Sequence, residues 1–144
     1  MLECTVRWHR HGMSFIAETG TGHMVAMDGA VEAGGHNLAP RPMELLLAGA
    51  GGCTAFDVVS ILKKGRQDIV DCAVRLGAER AGEDPKVFTR IDLHFVVAGR
   101  GLNPAAVERA IRLSAEKYCS ASIMLGKTAQ ISHSWEIVEA GKTA

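Results

Sequence analysis

The sequence predicts an α+β fold with mainly antiparallel sheets. Segments with strand character occur in three groups: three near the start, two in the middle and one near the end. They do not alternate with helices, as they would in a parallel α/β sheet. A long and almost wholly apolar helix, predicted over residues 42–64, separates the first group from the second. The expected order of elements is therefore β-β-β-α-β-β-α-α-β.

The first group of strands is predicted over residues 3–9, 13–18 and 23–27, which Gly-containing turns separate. This spacing indicates an antiparallel meander. Cys4 falls on the same strand face as Val6 and Trp8, so we expect it to be a core residue. Residues 30–41 form a loop of about a dozen residues, a length at which functional loops and covers are common.

The central helix has clear start and stop signals. Pro42 suits the first helical position, and lysines followed by Gly65 suit the end. Three glycines interrupt the helix, at positions 49, 51 and 52. Each costs about 0.8–1 kcal/mol relative to alanine in a helix interior. We therefore expect another element to approach this helix closely along its glycine-rich face.

The second half of the chain supplies the remaining elements. Long strands are predicted over residues 70–79 and 87–98, joined by a charged hairpin loop. In the second strand, Phe88 is expected on the polar face and Thr89 on the apolar face. Asn103 and Pro104 predict the N-terminus of a second helix. A short helix over 120–124 and a last strand over 130–138 follow.

Composition excludes several classes of function. The 144 residues suit one domain, 1–144, and 16 basic residues balance 16 acidic ones. This balance argues against a nucleic-acid-binding surface or a polybasic membrane patch. No apolar run of the roughly 20 residues that span a bilayer stands out, and the N-terminus lacks a signal-peptide pattern. We therefore predict a cytoplasmic protein with reduced thiols.

The four cysteines lie at positions 4, 53, 72 and 119. Their spacing contains no CxxC motif, and the six histidines give no HxxxH face, so the sequence predicts no metal site. We expect Cys72, like Cys4, to be a core residue. The same expectation applies to four methionines, Met24, Met27, Met43 and Met124.

Cys53 has the environment of either a small buried hydrophobe or a reactive thiol. Asp57 is four residues further along the helix, so the two side chains lie on one stripe, about 40° apart. A buried thiol beside this carboxylate is expected to have a raised pKa, and a nucleophilic Cys53 would need a nearby cation. The candidate cations are Arg7, Arg10, Arg41, Lys117 and the arginines of the long strands. Cys119 precedes a predicted helix start, where free N–H groups favour a thiolate.

Two motifs carry a resemblance to a known family. The first is Pro42-x-Glu44-Leu45-Leu46 with Gly51-Gly52-Cys53 and Asp57-Val58-Val59; the second is Ser114-Ala115-Glu116-Lys117-Tyr118-Cys119-Ser120. Together they resemble the OsmC/Ohr family, and within it most closely the YhfA-type branch. The resemblance covers the chain from the first strand to Ile137. It implies an intertwined homodimer with two central helices packed inside.

The resemblance also implies an activity. Members of the family reduce organic hydroperoxides with paired cysteines and need no metal or organic cofactor. In that scheme Cys53 attacks the peroxide and becomes a sulfenic acid, Cys119 resolves it as a disulfide, and a dithiol reductant restores both thiols. The family's acidic residue directly follows the proline, where this chain has Met43. Glu44 is the candidate equivalent, although it lies roughly 180° from Cys53 around the helix.

Two functions are consistent with these features. The first is a thiol peroxidase for organic hydroperoxides, activated by an arginine for which Arg7 and Arg10 are the candidates. Apolar residues along the cysteine stripe, such as Leu46 and Phe56, would then favour hydrophobic peroxides. The alternative is a protein that keeps the fold and thiols but binds an apolar or electrophilic small molecule without turnover.

Overall fold

A computed structural model of the chain describes residues 1–141. Its elements follow the predicted order, and the α+β prediction is confirmed. The chain divides into two compact units, the first formed by residues 1–46 and the second by the residues from 47 onward. A single domain over 1–144 stays a prediction.

The first unit contains an antiparallel meander, as expected. Strands β1 (Cys4–Trp8), β2 (Phe15–Thr19) and β3 (Met24–Met27) pair in sequence order. The prediction that Cys4 and Met24 are core residues is wrong, because both are exposed. β1 is an edge strand of a three-stranded sheet and is exposed along its whole length.

A buried carboxylate organises the loop after β3. Asp28 accepts hydrogen bonds from the backbone N–H groups of Gly29 (2.7 Å) and Leu38 (3.1 Å), and from that of His36. These donors, with Leu38 the strongest contributor, lower the pKa of Asp28 because they stabilise its charged form. One side chain therefore ties together both ends of a loop that includes a short 3₁₀ turn, Val31–Ala33.

Helix α1 extends over Pro42–Lys64, the predicted bounds. A Cβ on Gly51 would come 2.7 Å from Cδ1 of Leu76, so the expected close approach is present at this glycine. A Cβ on Gly49 or Gly52 would meet no atom of residues 47–141 within 4 Å. Burial in the second unit therefore explains one of the three helical glycines.

α1 also corrects an expectation about membrane spans. By length and composition it is long and apolar enough to cross a bilayer, although no such run was expected from the sequence. Glycines and alanines, which are small and uncharged, occupy the middle of the helix and keep its average polarity low. Core helices of globular proteins have the same length and composition, so this property alone assigns α1 no membrane.

The second unit is built on a three-stranded sheet in which β5 is central. The strands are β4 (Asp68–Arg80), β5 (Phe88–Arg100) and β6 (Gln130–Glu139), in the order β4-β5-β6. β4 and β5 are antiparallel, but β5 and β6 are parallel, which the expectation of a mainly antiparallel sheet did not include. A parallel pair needs a long crossover, and the helices between β5 and β6 supply it.

Apolar side chains of β5 form the middle of the core in this unit. Ile91, Leu93, Phe95 and Val97 are buried, as predicted. Phe88 is also buried, and Thr89 is exposed, opposite to the prediction. A register shift opposite Glu79 and Arg80 inserts an extra residue in β5 and reverses the facing of its first positions.

Two helices and one wide turn connect β5 to β6. The Asn103 side chain caps α2 (Pro104–Leu113) by accepting the Ala105 N–H at 3.0 Å, as predicted. A π-helical turn, Ser114–Tyr118, leads into the short helix α3 (Ser120–Leu125). Met124 on α3 is 73% exposed, so its assignment to the core is wrong.

Candidate thiol site

Cys53 lies in the middle of α1 and is partly accessible to solvent. Its neighbours on the helix follow from the α-helical period. Ala50, three residues earlier, and Asp57, four residues later, lie on the same stripe. The helix therefore presents a thiol, a carboxylate and a small residue to whatever packs on this stripe.

Cys119 is brought to that stripe by the π-helical turn. The Cys119 N–H donates to the Ser114 carbonyl at 2.8 Å, five residues back, so the chain widens after α2 before it turns into α3. Cys119 itself is extended and acts as the N-cap of α3. Its side chain is completely buried, and its Sγ lies 4.0 Å from the Ala50 carbonyl oxygen.

The two sulfurs and a carboxylate form one cluster. One ligand atom each from Cys53, Asp57 and Cys119 lies within 4.8 Å of the others. The two cysteines are 66 residues apart in the sequence and belong to separate helical elements. The fold therefore places together the two cysteines that the resemblance implies as a pair; their catalytic roles stay predictions.

Buried hydroxyl groups fix the carboxylate. Ser114 donates its O–H to Oδ2 of Asp57 at 2.9 Å. Since a serine hydroxyl has one proton, Thr54 must be the donor in the 2.7 Å hydrogen bond between the Thr54 and Ser114 hydroxyls. Thr54 and Ser114 are both buried. The result is a chain of two hydrogen bonds in which Thr54 donates to Ser114 and Ser114 donates to Asp57. Oδ1 of Asp57 takes no part in this chain.

Burial decides the protonation of Cys119. Desolvation is the main cause that raises the pKa of its thiol, and the nearby Cys53 raises it further. Ser122 opposes this effect, since its N–H donates to the Cys119 Sγ at 3.4 Å. The expectation that the start of α3 favours a thiolate is therefore wrong in direction, because burial outweighs the helix N-terminus.

The other cysteines differ from this pair. Cys4 is exposed in β1, in the first unit. Cys72, on β4, is only partly buried, so it is not the core residue predicted, and burial followed by the Asp71 carboxylate raises the pKa of its thiol. Neither belongs to the thiol cluster.

Glu44 belongs to the first turn of α1, in the first unit, and its carboxylate pairs with Arg41 at 3.3 Å. Both side chains are about half exposed, so this ion pair contributes little to stability. Within residues 47–141, the structure shows no arginine or lysine hydrogen-bonded to either sulfur. The cation predicted for Cys53 is therefore not supplied by the second unit as it stands.

An open pocket of about 510 Å³ adjoins the cluster through Asp57. Its wall combines apolar side chains with two basic ones. The lining residues are Phe56, Asp57, Ser60, Ile61, Lys64, Gly65, Arg109, Leu113 and Tyr118.

Sequence reasoning missed the two hydroxyl groups of the cluster. Ser114 opens the second motif, and Thr54 follows Cys53 directly, in the gap between Cys53 and Asp57 of the first motif. Their roles depend on a 60-residue contact, which no local pattern reveals. The signal that was present is the polar character of Thr54 in a stretch of α1 that is otherwise made of apolar and small residues, from Leu45 to Phe56.

Comparisons with known proteins agree on one family. Residues 35–134 match the family described as OsmC-like protein. The chain is 52% identical to Protein YhfA of Escherichia coli K12 over 139 residues, which is 96% of this chain and 100% of that protein. It is similar to the crystal structure of a hypothetical protein from Aquifex aeolicus, with 30% identity, a TM-score of 0.84 and 98% of each chain covered.

A more distant match shows the fold alone. The crystal structure of an organic hydroperoxide resistance protein from Legionella pneumophila is 19% identical to the chain, with a TM-score of 0.71. The match covers 94% of this chain and 96% of that one. The predicted OsmC-like fold is thus confirmed over nearly the whole chain.

Proposed function

This chain belongs to the OsmC-like protein family, and on that premise we propose that it is a thiol peroxidase that reduces organic hydroperoxides. The observation that carries the proposal is the pairing of an accessible thiol, Cys53, with a buried one, Cys119, in a cluster no wider than 4.8 Å. The words "organic hydroperoxide resistance" describe distant structural relatives and are consistent with this chemistry.

The proposed reaction has two steps, oxidation of Cys53 by the hydroperoxide and formation of a disulfide with Cys119. The Cys53 thiol first loses its proton to solvent, and the thiolate attacks the outer oxygen of the hydroperoxide. The O–O bond breaks, the transferred OH group makes Cys53 a sulfenic acid, and the departing alkoxide takes a proton from solvent to become the alcohol. Cys119 then attacks the Cys53 sulfur, so that an S–S bond forms and water leaves. A dithiol reductant returns both cysteines to thiols and is itself oxidised to a disulfide.

The environments of the two sulfurs suit this division of roles. Cys53 is open to a substrate, whereas Cys119 is fully buried. Because burial raises its pKa, Cys119 starts as a neutral thiol and must lose a proton to become a nucleophile. Asp57 is the carboxylate close enough to accept that proton, and Ser114 holds it in position.

The pocket beside Asp57 suits a substrate with an apolar body. Phe56, Ile61 and Leu113 line it, so the free energy of apolar burial would favour a bulky organic hydroperoxide over hydrogen peroxide. Leu46, which was expected to contribute, lies in the first unit and is half exposed.

We also propose that the protein is a homodimer in the cytoplasm. The α1 surface supports the dimer, because Gly49 and Gly52 have open space above them in the second unit and Phe56 is 75% exposed. A second copy of α1 packed here would account for glycines that the single chain does not explain.

One observation favours the alternative function. The absence of a cation on either sulfur within residues 47–141 suits a protein that binds a small apolar or electrophilic molecule in the pocket beside Asp57. In that case Glu44, already paired with Arg41, would have no role in activation.

The test treats the reduced protein with one equivalent of cumene hydroperoxide and follows free thiols by rapid quench. We expect the loss of two thiols per chain and a peptide map with a Cys53–Cys119 disulfide. The variants Cys53→Ser and Cys119→Ser should form no such linkage, and Cys119→Ser should accumulate a sulfenic acid that a carbon nucleophile traps.

Cys4→Ser and Cys72→Ser are the matched controls, since they remove the cysteines outside the cluster. Both should react like the parent. If all four thiols of the folded parent stay reduced for many minutes, the peroxidase proposal fails and the binding function takes its place.

A further inference from the structure

We propose that the reduced cluster of Cys53, Asp57 and Cys119 binds a zinc ion through its two sulfurs and one carboxylate oxygen. The proposal is independent of the peroxidase function, since it needs the positions of the three side chains and no turnover. A metal site was not expected from the sequence, because a spacing of 66 residues between ligands matches no local zinc motif.

The geometry of the cluster is close to that of a zinc site. In a tetrahedral site with Zn–S of about 2.3 Å and Zn–O of about 2.0–2.2 Å, two sulfurs lie about 3.8 Å apart, and a sulfur and an oxygen about 3.5 Å. The three ligand atoms lie within 4.8 Å of one another. Side-chain rotation that closes the sulfur–sulfur separation by at most about 1 Å, and each sulfur–oxygen separation by at most about 1.3 Å, would bring them to zinc-ligand separations.

Neighbouring groups hold the three ligands by hydrogen bonds, as the groups that surround bound metals do. The Ser114 hydroxyl donates to Oδ2 of Asp57 and holds the carboxylate in place, while Oδ1 does not share this hydrogen bond. The Ser122 N–H donates to the Cys119 sulfur, where it would stabilise a thiolate bound to a metal. Cys53 and Asp57 lie four residues apart on one rigid helix, so two of the ligands are already oriented.

The ligand set selects the metal. Two thiolates favour zinc over calcium and magnesium, which prefer oxygen ligands. Two thiolates and a carboxylate carry three negative charges, so the bound ion leaves one net negative charge. Any proton on either thiol leaves to solvent as the metal binds. Cys53 and Asp57 are only partly buried, which leaves a fourth position open to water or a small ligand.

The proposal has a consequence for the redox chemistry, and this part rests on the proposed function. A metal that engages both sulfurs occupies the lone pairs that would attack a peroxide. A Cys53–Cys119 disulfide, in turn, removes two of the three ligands and would release the ion. Metal occupancy and peroxide reduction therefore exclude each other at this cluster.

The test is an optical titration of the reduced, chelator-treated protein with Co²⁺. We expect one ion per chain, with a sulfur-to-cobalt charge-transfer band, the visible bands of a tetrahedral ion, and displacement by Zn²⁺. Cys53→Ser and Cys119→Ser should abolish or strongly reduce the charge-transfer band. Asp57→Asn should weaken binding by at least about tenfold, and Cys4→Ser and Cys72→Ser should bind like the parent.

Three outcomes would overturn the proposal: no band in the parent, a band that survives in both Cys53→Ser and Cys119→Ser, or equal affinity in Asp57→Asn. Circular dichroism of each variant separates a lost ligand from a lost fold, and the more exposed Cys53→Ser is the safer variant in this respect. Peroxide reactivity is measured separately in excess chelator, so failure of the peroxidase proposal leaves this result unaffected.

Discussion

Asp57 lies next to two thiols on a helix whose neighbouring positions are mostly apolar. A carboxylate in this position is close enough to both sulfurs to act as a proton acceptor. In the proposed peroxidase it has that role for Cys119. The hydrogen-bond chain from Thr54 through Ser114 supports it, because the hydrogen bond that Ser114 donates keeps the carboxylate oriented.

The substitution Asp57→Asn tests this role at the level of a single residue. We expect the first step, sulfenic acid formation at Cys53, to continue, whereas closure of the disulfide slows by about 10²-fold, a typical loss for a general base. Stopped-flow mixing with cumene hydroperoxide and trapping of the sulfenic acid would separate the two steps.

Ser114→Ala is the informative companion, since it keeps the carboxylate and removes the donor that orients it. It should slow closure less than Asp57→Asn does. Closure at the parent rate in Asp57→Asn would contradict the assignment of Asp57 as the proton acceptor.

Individual elements differ in how far the sequence predicts them. The bounds of α1 and the N-cap of α2 can be predicted from local sequence. Proline, asparagine and terminal lysines each stabilise the end of the helix at which they lie. The parallel pairing of β6 and the extra residue in β5 depend on contacts across the sheet, which no local pattern encodes. The π-helical turn is of the same kind. A separate short helix predicted over 120–124 indicates a break after α2, but not the hydrogen bond from the Cys119 N–H to the Ser114 carbonyl five residues earlier.

The loop after β3 gives a prediction about pH. Asp28 has a lower pKa in the folded chain than in the unfolded one, where it is about 3.9. Its charged form therefore contributes stability above that pH, and the contribution is lost as the pH falls through the folded value. Asp28→Asn should accordingly lower the free energy of unfolding at pH 7, and its difference from the parent should shrink below about pH 4.

Urea unfolding of both proteins across this pH range is the measurement. Asp84→Asn, in the exposed loop between β4 and β5, is the control and should change stability little at any pH. A difference between the Asp28 variant and the parent that stays constant from pH 7 to pH 3 would show that the loop is not held by the charge of Asp28.

At the scale of the whole molecule, the resemblance contributed what local patterns could not. Periodicity alone left Cys53 as either a small buried hydrophobe or a reactive thiol. The two motifs together implied the pair Cys53 and Cys119, and the fold places the two sulfurs in one cluster. Exposure was predicted least well: Cys4, Met24 and Met124 are all more exposed than expected, because apolar character does not specify which surface a residue joins.

The surface of α1 leads to the last prediction, which concerns assembly. Phe56 on α1 is 75% exposed, and open space lies above the neighbouring glycines in the second unit. Exposed apolar surface of this kind is stabilised when a partner covers it. We expect sedimentation to give a mass of about twice the 15.3 kDa of one chain. Phe56→Glu should shift the protein towards monomer, because it would bury a charge in the interface.

Met124→Glu, at a side chain of α3 that is 73% exposed, is the matched control and should remain dimeric. A monomeric parent would refute the dimer, whereas equal dimerisation of both variants would place the interface away from Phe56.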